Sequence, residues 1–117
     1  MRLKAGIWIK AYIRRLAREG VMAVVVRHGD DDAGAIFVRV NRLDGTSLLF
    51  GPAPAGLDEA QSDRPMMPVL GGRAVADDEA DAFLERQRSF DPDLWIVEVE
   101  ARDGRHFLDD WIIKPAM

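Results

Sequence analysis

Apolar residues recur along the first twenty positions with the period of a helix. Ala5, Trp8, Ile9, Tyr12, Ile13 and Leu16 lie three and four residues apart and therefore share one face. Gly20 supplies a stop, and Arg14, Arg15 and Arg18 occupy the last turns, where the exposed carbonyls favour cations. The spacing predicts a helix with a broad apolar stripe. On its opposite face Lys10, Arg14 and Arg18 follow at four-residue steps and form a basic ridge.

The period then shortens to two. Ala23 to His28 is β-branched and brief, and the turn-rich Gly29-Asp30-Asp31-Asp32-Ala33-Gly34 follows it. Ala35 to Asn41 sets Ile36, Val38 and Val40 against Ala35, Phe37 and Arg39. Asp44-Gly45 is a tight-turn dipeptide leading into Thr46-Ser47-Leu48-Leu49-Phe50, so residues 23 to 50 read as a three-stranded meander. Residues 51–68 hold four of the six prolines and read as a long surface loop, with a brief edge strand expected at Val69-Leu70.

Asp77-Asp78-Glu79 opens a second helical pattern, from about Asp78 to Ser89, with Ala80, Phe83, Leu84 and Gln87 on one face and Arg86 and Arg88 near its end. Asp91-Pro92 stops it. The last segment reads as a hairpin through Asp103-Gly104. Trp95, Val97, Val99 and Ala101 point to one face, and Leu94, Ile96, Glu98 and Glu100 to the other. That register pairs Val99 with Leu108 and Trp95 with Ile112, but also sets Glu98 against Asp109. Like charges in apposition require the ladder to fray after Leu108 or a cation to intervene.

The order α-β-β-β-loop-α-β-β with hairpin connections predicts an α+β fold: one mainly antiparallel sheet, a meander plus a C-terminal hairpin, with both helices packed on one face. At 117 residues the chain is sized for a single domain over 1–117. Arg2, Lys4, Lys10, Arg14 and Arg15 interrupt the N-terminal apolar positions, so no signal peptide is expected, and no apolar run approaches the length of a membrane span. The expected location is the cytoplasm. The absence of cysteine excludes disulfides, thiolate metal sites and a thiol nucleophile.

The formal net charge of −4 conceals a polarity. Residues 1–50 carry nine Lys and Arg against five Asp and Glu, and residues 51–117 carry seven against fifteen. The simplest reading is attraction between the halves, across the fold or within a dimer. The ridge Lys10, Arg14, Arg18 suits an acidic protein partner, while the sequence pI near 5.1 argues against nucleic acid.

Enzymatic chemistry finds little footing. Asp93, Glu98 and Asp109 could converge on the final hairpin as oxygen ligands for magnesium, in the manner of a small metal-dependent hydrolase or nuclease. Asp30-Asp31-Asp32 lacks the alternating spacing and closing glutamate of a calcium loop. His28 and His106 are the only histidines and read as strand residues. Ser47, Ser62 and Ser89 sit in no nucleophile elbow, and Gly71-Gly72-Arg73 is too short to cradle phosphate. Trp8, Trp95 and Trp111 read as core, with Trp111-Ile112-Ile113 a candidate apolar patch for self-association. The leading reading is a non-enzymatic binding module without a cofactor, its site the basic ridge; the alternative is the metal-dependent hydrolase.

Several stretches together resemble a known family. They are Leu3-Lys4-Ala5-Gly6-Ile7-Trp8, the Arg27-His28-Gly29-Asp30 turn leading to Ala33-Gly34-Ala35, Asn41-Arg42-Leu43-Asp44-Gly45, Glu85-Arg86-Gln87, Phe90-Asp91-Pro92-Asp93-Leu94-Trp95 and Asp103-Gly104-Arg105-His106-Phe107. The chain resembles, over nearly its whole length, the alphaproteobacterial domain-of-unknown-function family number 1491. The resemblance implies a free-standing, single-domain bacterial protein and supplies no activity, cofactor or catalytic residue.

Overall fold

The computed structural model describes residues 3–54 and 64–112. Helix α1 runs Ala5–Arg18 and α2 runs Asp77–Phe90. The strands are β1 (Met22–Arg27), β2 (Ile36–Asn41), β3 (Thr46–Pro52), β4 (Met66–Pro68), β5 (Val75–Ala76) and β6 (Trp95–Glu100). All six join one sheet in the order β1-β6-β2-β3-β4, with β5 pairing β3.

Strand β6 lies between β1 and β2, antiparallel to the first and parallel to the second. The sheet is therefore mixed, which corrects the expectation of a meander: β2 and β3 form a hairpin, but β1 and β2 do not pair. The expected C-terminal hairpin is not formed either. Both ladders of β6 are already taken, so no edge remains for residues 105–112, which instead run as turns to a single bridge between Ile112 and Met66. Glu98 consequently lies beside Arg39 on β2 rather than opposite Asp109, and the like-charge conflict disappears.

The alternation along β2 and β6 divides the side chains as the pattern implies, but both faces are covered. Val38, Val40, Trp95, Val97 and Val99 pack with Trp8, Ile9, Tyr12 and Leu16 of α1, whereas Phe37, Leu49, Leu94 and Ile96 pack with Ala80 and Leu84 of α2. The helices lie on opposite faces, not one. The reason is that β2 is buried along Ile36–Val40 on both sides, a condition that two-sided covering alone satisfies.

The helix ends follow from their sequences. Gly20, at φ 74°, closes α1 with a paired motif in which Val21 N–H donates to the Leu16 carbonyl and Gly20 N–H to that of Ala17. At the other end Lys4 offers no capping side chain. The Ala5 and Gly6 amides donate instead to the main-chain carbonyls of Asp32 and Asp31, at 3.2 and 3.0 Å. In α2 the opening Asp77, Asp78 and Glu79 and the closing Arg88 complement the helix dipole.

Segment 51–68 contains more structure than a surface loop. Strand β3 continues to Pro52 and β4 follows at Met66–Pro68, displacing the strand expected at Val69-Leu70, where the chain makes a short 3-10 turn. Arg64 is buried, its guanidinium donating to the carbonyls of Leu3, Asp32 and Gly34. Residues 55–63 lie outside the described residues.

Two glycines hold the centre together. A Cβ at Gly29 would lie 2.2 Å from the Asp93 carbonyl oxygen, and one at Gly34 2.6 Å from the same atom. The 29–34 loop is thus pressed against the backbone entering β6. Gly29→Ala is expected to cost about 3 kcal/mol because the clash is backbone on backbone. Gly20→Ala, with open space around it, should cost about 1–2 kcal/mol through its positive φ alone. Urea unfolding of the two variants measures the difference, and equal costs would show that the loop can retreat.

Candidate interaction surface

The flank of the molecule where α1 lies along β1 holds three features together. The first is the ridge. Lys10, Arg14 and Arg18 are all exposed on α1, since the buried stripe of Ala5, Trp8, Ile9, Tyr12 and Leu16 commits the opposite side to the sheet. None of the three joins an ion pair among the described residues. By contrast, Lys4 pairs with Asp32, Arg15 with Asp110 and Arg88 with Glu85.

The second feature is a groove of about 420 Å³ between α1 and β1. Ile7, Ile9, Ile13, Val25 and Trp95 supply its apolar lining, and Lys10 is the one ridge residue that reaches it. At the far rim His28 packs against Trp95 with ring centres 4.1 Å apart and planes tilted by 46°, and lies 3.4 Å from Asp31. The Trp95 indole N–H donates to the Asp30 carbonyl at 2.7 Å, fixing the ring that closes the groove. The third feature is β1 itself, an edge strand with a largely exposed pattern of side chains.

The carboxylates of the metal reading are spread apart. Asp93 sits in the turn before β6, where its carbonyl accepts from the Asp30 amide. Glu98 lies on the α2 side of β6, within 3.4 Å of the Asn41 side-chain amide. Asp109 follows the turns beyond β6, near His106. Among the described residues no group of three or more His, Asp or Glu side chains is placed to hold a metal ion. Trp111 packs edge-on against Trp8 at 5.1 Å and is half-buried, joining the α1 core rather than an exposed patch; Ile113 lies outside the described residues.

Sequence reasoning missed Arg39, which reads as the polar partner in an alternating strand. Its guanidinium is buried beneath α2, donating to Ser47 Oγ at 3.1 Å and to the Asp81 carboxylate, with Asp77 3.3 Å away. Burial works against its charge, and the hydrogen bond to Asp81 with the fields of Asp81 and Glu98 more than restores it. This cation ties the first turn of α2 to β2 and β3. The only signal for it in the sequence is an arginine amid Ile36-Phe37-Val38 and Val40.

A six-stranded mixed sheet with one helix on each face makes this an α+β protein. The chain belongs to the DUF1491 family, described as a protein of unknown function, whose model matches residues 3–109. It is similar to a DUF1491 family protein from Caulobacter crescentus known from a crystal structure, with 40% identity and a TM-score of 0.77, covering 97% of this chain and 100% of that one. It is likewise similar to protein Atu0922 from A. tumefaciens in solution, with 36% identity and a TM-score of 0.77, covering 100% and 99%. No curated protein matches the chain. Among the described residues no helix is long and apolar enough to cross a membrane.

His106 is held as a neutral ring. Its Nδ1 accepts from the Leu108 amide at 2.9 Å, its ring packs at a tilt against Phe50, and its carbonyl accepts from the buried Tyr12 hydroxyl at 2.6 Å. Burial lowers its pKa below the ordinary 6.5, and the Asp109 charge opposes that only partly. A lowered folded-state value means that the unfolded chain takes up the proton first. The contribution is therefore complete above pH 6.5 and is lost as pH falls through the lowered value. His106→Gln should lose less stability than wild type between pH 7 and about 5, measured as the shift in urea midpoint. Parallel pH profiles would remove His106 from the account.

Proposed function

We propose that this protein is a non-enzymatic interaction module of the bacterial cytoplasm that recognises an acidic protein surface through Lys10, Arg14 and Arg18. The observation that carries the reading is their exposure, one helical turn apart, without a carboxylate neutralising any of them among the described residues. Each has a solvated charge available to a partner, and a rigid helix docked through a buried stripe holds the three in fixed relation. Acidic α2 lies on the other face of the sheet, so it does not compete for the ridge.

Charge reversal tests the reading. In Lys10→Glu/Arg14→Glu/Arg18→Glu, partners recovered by the wild-type protein should be lost. The affinity of any isolated partner should fall by more than about tenfold, and raising the salt concentration should weaken the wild-type complex in parallel. Recovery of the same partners by both proteins excludes the ridge as the recognition surface. The substitutions are on an exposed face, so an unchanged melting temperature serves as the fold control.

A further inference from the structure

Strand β1 is the outermost strand beside the groove, and among the described residues one side of its backbone pairs with nothing in the sheet. Its sequence, Met-Ala-Val-Val-Val-Arg, carries no lysine or proline to guard the free edge. The exposed side chains are aliphatic: Met22 is 63%, Val24 50%, Val25 40% and Val26 58% accessible. Helix α2 approaches only Val26, which lines a pocket with Asp81, Leu84 and Glu85, and α1 lies over the face that carries Ala23 and Val25.

We propose that β1 pairs antiparallel with β1 of a second copy of this chain, joining two sheets into one across a two-fold axis normal to the sheet. A register with the axis beside Val24 sets Val24 against its own equivalent and Met22 against Val26 of the other copy. The three most exposed aliphatics thus cover one another on the α2 side. On the α1 side Ala23 of each copy comes beside Val25 of the other, at the mouth of the groove.

Charge favours a second copy over an acidic strand. On the α2 side β1 is flanked by Glu98 and Glu100 of β6, which face Val24 and Met22 across the ladder. An acidic strand added there would place every second carboxylate near these two. A second β1 brings only aliphatics to that stretch. It ends in Arg27, whose guanidinium donates to the Pro92 carbonyl of its own chain at 2.7 Å. The β-bulge between Val25 and Arg27 limits the pairing to a short stretch, which fits a dimer held by side-chain cover as much as by backbone bonds. Because the axis is normal to the sheet, both α1 helices fall on the same face. Display of two basic ridges side by side follows, although self-pairing itself does not depend on what the ridge binds.

Light scattering or sedimentation from low micromolar to millimolar concentration measures the association. The wild-type mass should rise from 13.1 kDa toward twice that value. Val24→Lys and Val24→Asp should each remain monomeric with an unchanged circular dichroism spectrum. An equimolar mixture of the two should recover the dimer, since the axis brings residue 24 of one copy against residue 24 of the other. A wild-type monomer throughout overturns the proposal, as does a dimer that persists in both variants. Failure of the mixture to reassociate while wild type dimerises overturns the register. None of these outcomes bears on the charge-reversal result for the ridge.

Discussion

The structure turns on a contact between two pieces of main chain. Gly29 and Gly34 press against Asp93 and Leu94 so closely that neither position admits a Cβ, and the Asp30 amide donates to the Asp93 carbonyl at 2.9 Å. Within this loop the Asp30 carboxylate accepts from the Asp32 and Ala33 amides at 3.1 and 2.8 Å, and the main-chain carbonyls turn inward. The Asp30 carbonyl accepts from the Trp95 indole, while those of Asp31 and Asp32 accept from the first amides of α1, and Asp32 also from buried Arg64. One six-residue loop therefore starts α1, admits the chain to β6 and receives the arginine of the proline-rich segment. Backbone carbonyls in a fixed loop satisfy donors that would otherwise be lost on burial, which is why α1 begins without a capping side chain.

Once β6 is guided between β1 and β2, the rest follows. Both of its edges are used, so the C-terminal residues cannot form a hairpin with it and fold over the α1 side, where Trp111 and His106 pack. Both faces of β2 and β6 are buried, so each face takes one helix. The charge polarity along the sequence becomes a polarity in space, with basic α1 on one side of the sheet and acidic α2 on the other. The halves meet at particular points rather than over a broad surface: Arg39 under α2 with Asp77 and Asp81, and Arg15 with Asp110. Among the described residues the ridge on α1 stays unneutralised, and the edge at β1 stays unpaired.

The elements were largely legible because local periodicity records them. The helices, the first three strands and β6 all lie where apolar spacing places them, and Gly20 and Asp91-Pro92 end the helices as their chemistry requires. The sheet order was not legible, since bringing β6 beside β2 joins residues some sixty positions apart with no turn to signal it. One clue lay in the sequence. Ile36-Phe37-Val38 and Leu94-Trp95-Ile96-Val97 are apolar on both faces, as strands covered on both sides are. The Asp30-Asp31-Asp32 loop was opaque for a different reason: the Asp30 carboxylate turns the loop, but its contacts to α1, β6 and Arg64 are made by carbonyls, which every residue type carries. The ridge was visible from four-residue spacing alone, whereas Arg39 was signalled only by its apolar neighbours and Arg64 by nothing.

Native-state hydrogen exchange at the 29–34 loop tests the central claim most directly. If this loop is the junction on which α1, β6 and Arg64 depend, the Asp30 amide and the Trp95 indole N–H exchange only through global unfolding, as slowly as the Val97 amide of the interior strand β6. Exchange of Asp30 and the Trp95 indole at the rate of an ordinary exposed turn such as Asp44-Gly45, with β6 still protected, would contradict the account: the sheet would then hold its order without the loop.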